Sequence, residues 1–126
     1  MRYILLIALL LISTATQAAA LDTEDKWLMY GGAAAIVADW GTTLDIENHA
    51  DIYESNHYLG EHPGRGQVNR YFTGLLAIHF GVEYLIGQIE SPSQRKFARR
   101  LHDYTIIYIH GGASISNMRL GLKFNF

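Results

Sequence analysis

The chain has 126 residues with no cysteine, and its 10 basic and 12 acidic side chains give a formal net charge of −2. This length allows one small domain and excludes a multidomain enzyme. The charge balance supplies no basic surface for nucleic acid, and the lack of cysteine excludes disulfides and thiolate chemistry.

The first twenty residues have the pattern of a signal peptide. A positive start is followed by an unbroken apolar run over residues 3–12, and Ala18-x-Ala20 offers the small residues that a signal peptidase accepts. The apolar run is too short to cross a bilayer comfortably. We therefore predict a signal peptide over residues 1–20 and a single small domain over residues 21–126, with an uncleaved anchor as the alternative.

Two mostly apolar stretches, residues 27–46 and 71–89, have the length of membrane-spanning helices. Small residues recur in both at helical spacing, and such faces allow helix backbones to approach closely in lipid. We therefore predict a helical hairpin embedded in a membrane, with a buried hairpin of a soluble protein as the alternative. After an exported N-terminus, the basic residues between 95 and 100 also fall outside, against the positive-inside rule. The sequence therefore does not decide between an inner and an outer membrane.

Two shorter elements follow the hairpin. Residues 101–109 are apolar and rich in β-branched and aromatic side chains, so that helix and strand compete there. From Met118 to Phe126, apolar residues alternate strictly with polar residues or glycine, which is typical of a half-buried strand. The predicted fold class is therefore mainly α: a helical hairpin of two apolar, membrane-embedded helices, a third short element and a C-terminal β-strand.

Acidic and histidine side chains interrupt the apolar stretches: Asp39 and Asp45 in the first, and His79 and Glu83 in the second. A charged group inside a membrane costs several kcal/mol unless it is paired, so it marks a functional or a paired position. One hypothesis joins Asp39, His79 and Glu83 with His110 into a catalytic, proton-relay or divalent-metal site. The alternative is a structural clamp in which Asp39 pairs with His79. Their spacing matches no known metal signature, so the sequence predicts no cofactor and leaves a divalent metal open.

The polar connection between the two apolar stretches combines ionisable side chains with turn-forming glycine and proline. An ordered polar loop of this length is more often functional than a mere connector. We expect Glu54 and Asn56 to fold back onto backbone groups or onto the face that carries Asp39 and His79. His62 and Arg65 then stay accessible as binding residues for a ligand or partner. The alternative is that all four residues only hold the loop together.

Part of the chain carries a longer pattern. D-x-x-T-T lies in the first apolar stretch, and Y-E-x-N-x-x-L-G-x-H-P-x-x-G-x-V-N-x-Y-F precedes a second apolar stretch that contains a histidine. The residues of the pattern are Asp39, Thr42, Thr43, Glu54, Asn56, Leu59, Gly60, His62, Pro63, Gly66, Val68, Asn69, Tyr71, Phe72 and His79. Over roughly residues 35–80, the chain resembles a group of small uncharacterised membrane proteins from bacteria and their phages. His57 stands where that group has proline, which puts the turn geometry of the group in question here.

The resemblance implies an envelope membrane protein and assigns no activity. With the predicted export, it indicates the cell envelope of a Gram-negative-type bacterium. The leading functional interpretation is a structural or interaction protein whose partners are the lipid bilayer and either a second copy of this chain or another envelope protein. The alternative is an intramembrane enzyme or an ion or proton pathway that uses Asp39, His79 and Glu83. The sequence does not decide whether the chain is an enzyme.

Overall fold

A computed structural model describes residues 21–126, and the predicted signal peptide lies outside this range. Four α-helices account for most of it: α1 (Thr23–Thr43), α2 (Arg65–Gly87), α3 (Pro92–Ile106) and α4 (Gly112–Arg119). A 3₁₀ turn (Leu44–Asn48) follows α1, and a π segment (Ile107–Gly111) joins α3 to α4. The described chain is therefore mainly helical.

The three long elements form an up-down-up bundle. Near the end of α1, Trp40 Nε1 donates to Asn69 Oδ1 near the start of α2 at 2.9 Å, so these two helices are antiparallel. The α3–α4 unit runs parallel to α1, because Lys96 pairs with Asp22 at one end and Asn117 donates to Thr42 Oγ1 at the other. This arrangement places one face of α3 against both α1 and α2.

The two ends of the bundle interior differ in composition, and we call them the apolar end and the polar end. The apolar end holds the hydrophobic core, although Asp39 and His110 are buried beside it. The apolar end is built around Ile36, Val68 and Phe72, and Leu59 from the long loop packs into it. Trp40 stacks on Phe72 with ring centroids 6.2 Å apart. The polar end lies between the first half of α1, the second half of α2 and α3, and it holds the buried ionisable residues Asp25, His79, Glu83, Arg99 and Asp103.

The prediction of two membrane-spanning helices is wrong. Among residues 21–126, no helix is both long enough and apolar enough to cross a membrane. Charged side chains at the start of α1, and charged and amide side chains at the start of α2, lower the mean hydropathy of the two helices. Asp39 inside α1 and Glu83 inside α2 lower it further. The predicted membrane location and the transmembrane classification depended on these two stretches, so the same finding overturns them.

The predicted C-terminal strand is also wrong, since residues 21–126 contain no strand. Helix α4 continues to Arg119 and ends in a Schellman motif, in which Leu122 N donates to Asn117 O and Gly121 N donates to Met118 O. Gly121 has a φ of 92°, a left-handed conformation that favours glycine. The alternating pattern of residues 118–126 therefore spans a helix end and an extended tail rather than a strand.

The tail is held against the end of α1 by hydrogen bonds. Asn125 N donates to Gly41 O at 3.0 Å, and Lys123 N donates to Asp45 Oδ2 at 2.9 Å. The Asp45 carboxylate also accepts from Asn48 Nδ2 at 2.8 Å. These donors, led by the Lys123 N–H, hold the pKa of Asp45 below its usual range. Asp45 thus joins the 3₁₀ turn to the tail.

We expect Asp45→Ala to lower the free energy of unfolding by about 1–3 kcal/mol, because it leaves the Lys123 N–H without an acceptor. Urea denaturation followed by circular dichroism measures the change. Asp51→Ala is the matched control, since Asp51 is an exposed carboxylate in the adjacent loop. Equal effects of the two substitutions would contradict a specific role for Asp45 in holding the tail.

Candidate functional site

The most unusual feature of the polar end is a cluster of His79, His102 and Asp103, the His–His–Asp cluster. His79 comes from α2, and the other two residues come from α3. His79 Nδ1 lies 3.0 Å from His102 Nε2, and the two rings stack with centroids 5.1 Å apart. One potential ligand atom from each of the three residues lies within 4.8 Å of the others. Two imidazoles and a carboxylate therefore converge on one point.

A backbone carbonyl fixes the tautomer of His79. Its Nε2 lies 3.0 Å from the Met29 carbonyl oxygen, which can only accept a hydrogen bond. The Nε2 atom of His79 therefore carries the hydrogen, and the Nδ1 lone pair faces His102. The glycine at position 32 of α1 makes room for the ring, because a Cβ there would lie 2.9 Å from His79 Cε1. A ring held in this way by a carbonyl is typical of a metal-binding histidine.

Asp103 is the buried acid of the cluster. Its exposed fraction is 0%, and neither carboxyl oxygen has a hydrogen-bond partner within residues 21–126. Burial, reinforced by the nearby Glu83 carboxylate, raises the pKa of Asp103 to about 8. Burial also lowers the pKa values of His79 and His102. At neutral pH the cluster is therefore uncharged, and its donor atoms have few other partners.

A second group, the arginine layer (Asp25, Glu83 and Arg99), lies one helical turn away. Glu83 follows His79 by four residues on α2, and Arg99 precedes Asp103 by four on α3, so the two groups stack along the same helix faces. Arg99 Nε donates to Glu83 Oε2 at 2.7 Å, and its NH1 lies 4.0 Å from Asp25 Oδ2. All three side chains are buried. One guanidinium thus stands between two buried carboxylates.

A cavity of about 350 Å³ reaches the arginine layer from the outside. Asp25 and Arg99 form its inner wall, and Arg95, Lys96 and Pro92 at the start of α3 line its outer part. The polar end of the bundle is therefore accessible to small polar molecules as far as the arginine layer.

The structure places Asp39 and His110 apart from the other predicted site residues. His110 Nδ1 lies 2.7 Å from Asp39 Oδ2, and both side chains are buried. Thr43 Oγ1 donates to the other carboxylate oxygen of Asp39 at 3.4 Å. Asp39 is thus paired with His110, which the π segment turns inward, and His79 is paired with Met29 and His102. The predicted contact between Asp39 and His79 is not among the hydrogen bonds of the described residues.

Of the four loop residues predicted as a site, Glu54 and Asn56 bond the loop backbone, and His62 is exposed. Glu54 Oε1 accepts from Asn56 N at 2.7 Å, and Asn56 Oδ1 accepts from Tyr58 N at 3.0 Å, so both residues stabilise the loop backbone. Burial raises the pKa of Glu54. His62 is exposed and packs on Tyr53 with ring centroids 4.8 Å apart.

The Arg65 side chain, which the sequence predicts to be accessible for binding, is held by two hydrogen bonds. Its NH1 donates to Glu47 Oε1 at 3.0 Å, and its NH2 donates to the Asn125 carbonyl at 3.1 Å. Arg65 therefore links the start of α2 to the 3₁₀ turn and to the C-terminal tail.

Sequence reasoning identified His79 and missed His102 and Asp103. The signal available was a His-Asp pair one turn after Arg99 in an otherwise amphipathic segment, which alone does not distinguish a site from a solvated face. Comparison with family models, with curated proteins and with solved structures finds no match to this chain. The resemblance of residues 35–80 to small membrane proteins of bacteria and phages stays a prediction.

Proposed function

We propose that this chain binds a divalent transition-metal cation through His79, His102 and Asp103. One observation carries the proposal: the fully buried Asp103 carboxyl group lacks any hydrogen-bond partner among the described residues, beside two imidazole nitrogens that face each other at 3.0 Å. Burying a polar group without a partner is costly. A cation at the centre of the cluster removes this cost, because it gives the carboxylate and both nitrogens a common partner.

The donor atoms indicate the class of metal. Imidazole nitrogen suits Zn²⁺, Fe²⁺, Co²⁺ and Ni²⁺, whereas Mg²⁺ and Ca²⁺ prefer oxygen ligands. Without a cation, His102 Nε2 donates its hydrogen to His79 Nδ1, since the latter has no hydrogen of its own. A metal ion takes the place of that hydrogen. Three protein ligands leave a coordination position for a further ligand.

This proposal revises the site that the sequence suggested. His79 keeps its role as a ligand, its partners become His102 and Asp103, and Asp39 and His110 form a separate pair. The structural or interaction role expected from the sequence stays a prediction beside it.

Metal titration of the protein after treatment with a chelator tests the proposal. We expect Co²⁺ or Zn²⁺ to bind with one ion per chain in isothermal titration calorimetry. Asp103→Asn and His79→Gln should each weaken binding at least about 100-fold, because even residues that only orient a ligand contribute 10- to 100-fold. Asp51→Asn and His57→Gln are the matched controls, since they make the same chemical changes at exposed positions. Equal affinity of Asp103→Asn and Asp51→Asn for the metal would overturn the proposal.

A further inference from the structure

One carboxylate oxygen of Glu83 is held by a hydrogen bond, and the other has no hydrogen-bond partner among the described residues. Oε2 accepts from Arg99 Nε at 2.7 Å, and the side chain is 2% exposed. Oε1 is equally buried and has no hydrogen-bond partner within residues 21–126. Since Arg99 holds the carboxylate from one side, the orientation of Oε1 is set before any ligand arrives.

The unpartnered oxygen belongs to a carboxylate that lies beside the His–His–Asp cluster. Glu83 and His79 are one turn apart on α2, and the negative charge of Glu83 contributes to the pKa values of both His102 and Asp103. Glu83 is not one of the three residues whose ligand atoms converge within 4.8 Å. Its carboxylate is therefore a neighbour of the cluster rather than a member of it.

A metal ion held by three protein ligands takes water at its remaining position. Bound water is a strong hydrogen-bond donor, and in a buried site each of its hydrogens needs an acceptor. The cavity beside Arg99 and Asp25 brings solvent to the arginine layer, one helical turn away. Two buried carboxylate oxygens of the arginine layer, Glu83 Oε1 and Asp25 Oδ1, have no hydrogen-bond partner among the described residues. Asp25 Oδ1 lies 3.6 Å from Arg100 Nε, whereas Glu83 stands one turn from His79 on the same helix, so Glu83 Oε1 is the acceptor that we assign to the cluster.

We propose that Glu83 is a positioning residue for a metal-bound water: Arg99 fixes its carboxylate through Oε2, and Oε1 accepts a hydrogen bond from water on the open position of the metal. This inference rests on the proposed metal site. It gives Glu83 a role distinct from that of a ligand, and it predicts that the open position favours water over small anions, because the fixed negative charge of Glu83 repels them.

Azide binding to the Co²⁺-loaded protein tests this role. Azide replaces water on Co²⁺, and the visible absorption bands of the metal report the exchange. We expect Glu83→Gln to bind Co²⁺ within about threefold of the wild-type affinity and to bind azide at least about tenfold more tightly, since the substitution removes the repelling charge. Glu24→Gln is the matched control, because Glu24 is an exposed glutamate that pairs with Arg100, and it should leave azide binding unchanged.

Two results would overturn the role of Glu83 while the metal site stands. Loss of Co²⁺ binding in a folded Glu83→Gln variant would make Glu83 a ligand, and unchanged azide affinity would show that its charge does not face the open position. A wild-type protein that binds no Co²⁺ would overturn the proposed function and this inference together. If Glu83→Gln does not fold, pulsed electron paramagnetic resonance of the wild-type Co²⁺ protein in D₂O decides: exchangeable deuterons on a metal-bound water support the role, and their absence refutes it.

Discussion

Arg99→Met should lower the free energy of unfolding by about 3–5 kcal/mol, the largest effect that we expect from a single substitution in this chain. Arg99 is 4% exposed and stands between Glu83 at 2.7 Å and Asp25 at 4.0 Å. Methionine fills a similar space without charge, so the main loss is electrostatic. Two buried carboxylates are then left with the partial compensation of Arg100, whose Nε lies 3.6 Å from Asp25 Oδ1.

Urea denaturation in the presence of a chelator measures this effect without a contribution from bound metal. Arg95→Met is the matched control on the same helix, and it should cost less than about 1 kcal/mol because Arg95 is only partly buried. The double variant Arg99→Met with Glu83→Gln should recover part of the loss, since it removes one of the two stranded charges. Equal costs for Arg99→Met and Arg95→Met would show that the arginine layer contributes no specific stability.

The second large effect is a fall in the stability of the metal-free protein between pH 6.5 and pH 8. Burial raises the pKa of Asp103 from 3.8 to about 8, so in this window the folded chain keeps a proton that the unfolded chain has released. Raising the pH therefore favours the unfolded state, with a slope of at most about 1.4 kcal/mol per pH unit. The lowered pKa values of His79 and His102 make the stability rise with pH instead. This effect is confined to pH values below about 6.5, the ordinary pKa of histidine, and so lies outside the window.

Thermal or urea unfolding at several pH values measures this slope. Asp103→Asn should remove most of it and should be more stable than the metal-free wild type at pH 8, because an amide has no proton to lose. Zn²⁺ at a hundred times its dissociation constant should add about 2.7 kcal/mol to the wild type and little to the variant. An identical slope in the wild type and in Asp103→Asn would mean that other groups control the pH dependence.

The two long helices α1 and α2 were predictable from hydropathy, but the prediction that they lie in a membrane was wrong. The sequence left helix and strand open over residues 101–109, which the structure shows to be helical. Stretches of apolar and small residues long enough for a bilayer also serve a compact bundle in which α1 packs against both other long helices. The C-terminal alternation failed for a local reason, since Gly121 ends a helix inside the alternating segment. An alternating pattern predicts a strand only if the backbone is extended over the whole segment. Here the backbone is helical before Gly121 and leaves the helix after it, so that the alternation does not describe one element.

The site was predictable in part, for a similar reason. His79 and Glu83 stood out because they are ionisable residues four apart in an apolar segment. His102 and Asp103 did not stand out, because their segment is rich in charged residues and the sequence alone does not show which of these the bundle buries. The pairing of Asp39 with His110, 71 residues away, depends on how α1 packs against the π segment. Such distant pairings follow from the packing of the bundle and have no local signature.

The separation of the bundle interior into an apolar end and a polar end implies two regions of unequal local stability. The end around Phe72 and Ile36 is held by close packing, which resists opening. The end around Arg99 and Asp103 buries fewer apolar side chains and contains unpartnered polar groups. Proteins open most readily where buried apolar contacts are few, without unfolding as a whole. We therefore expect the starts of α1 and α3 to separate briefly while the other end stays folded. We expect such partial opening to widen the route by which an ion reaches the His–His–Asp cluster, in which only His102 is partly exposed.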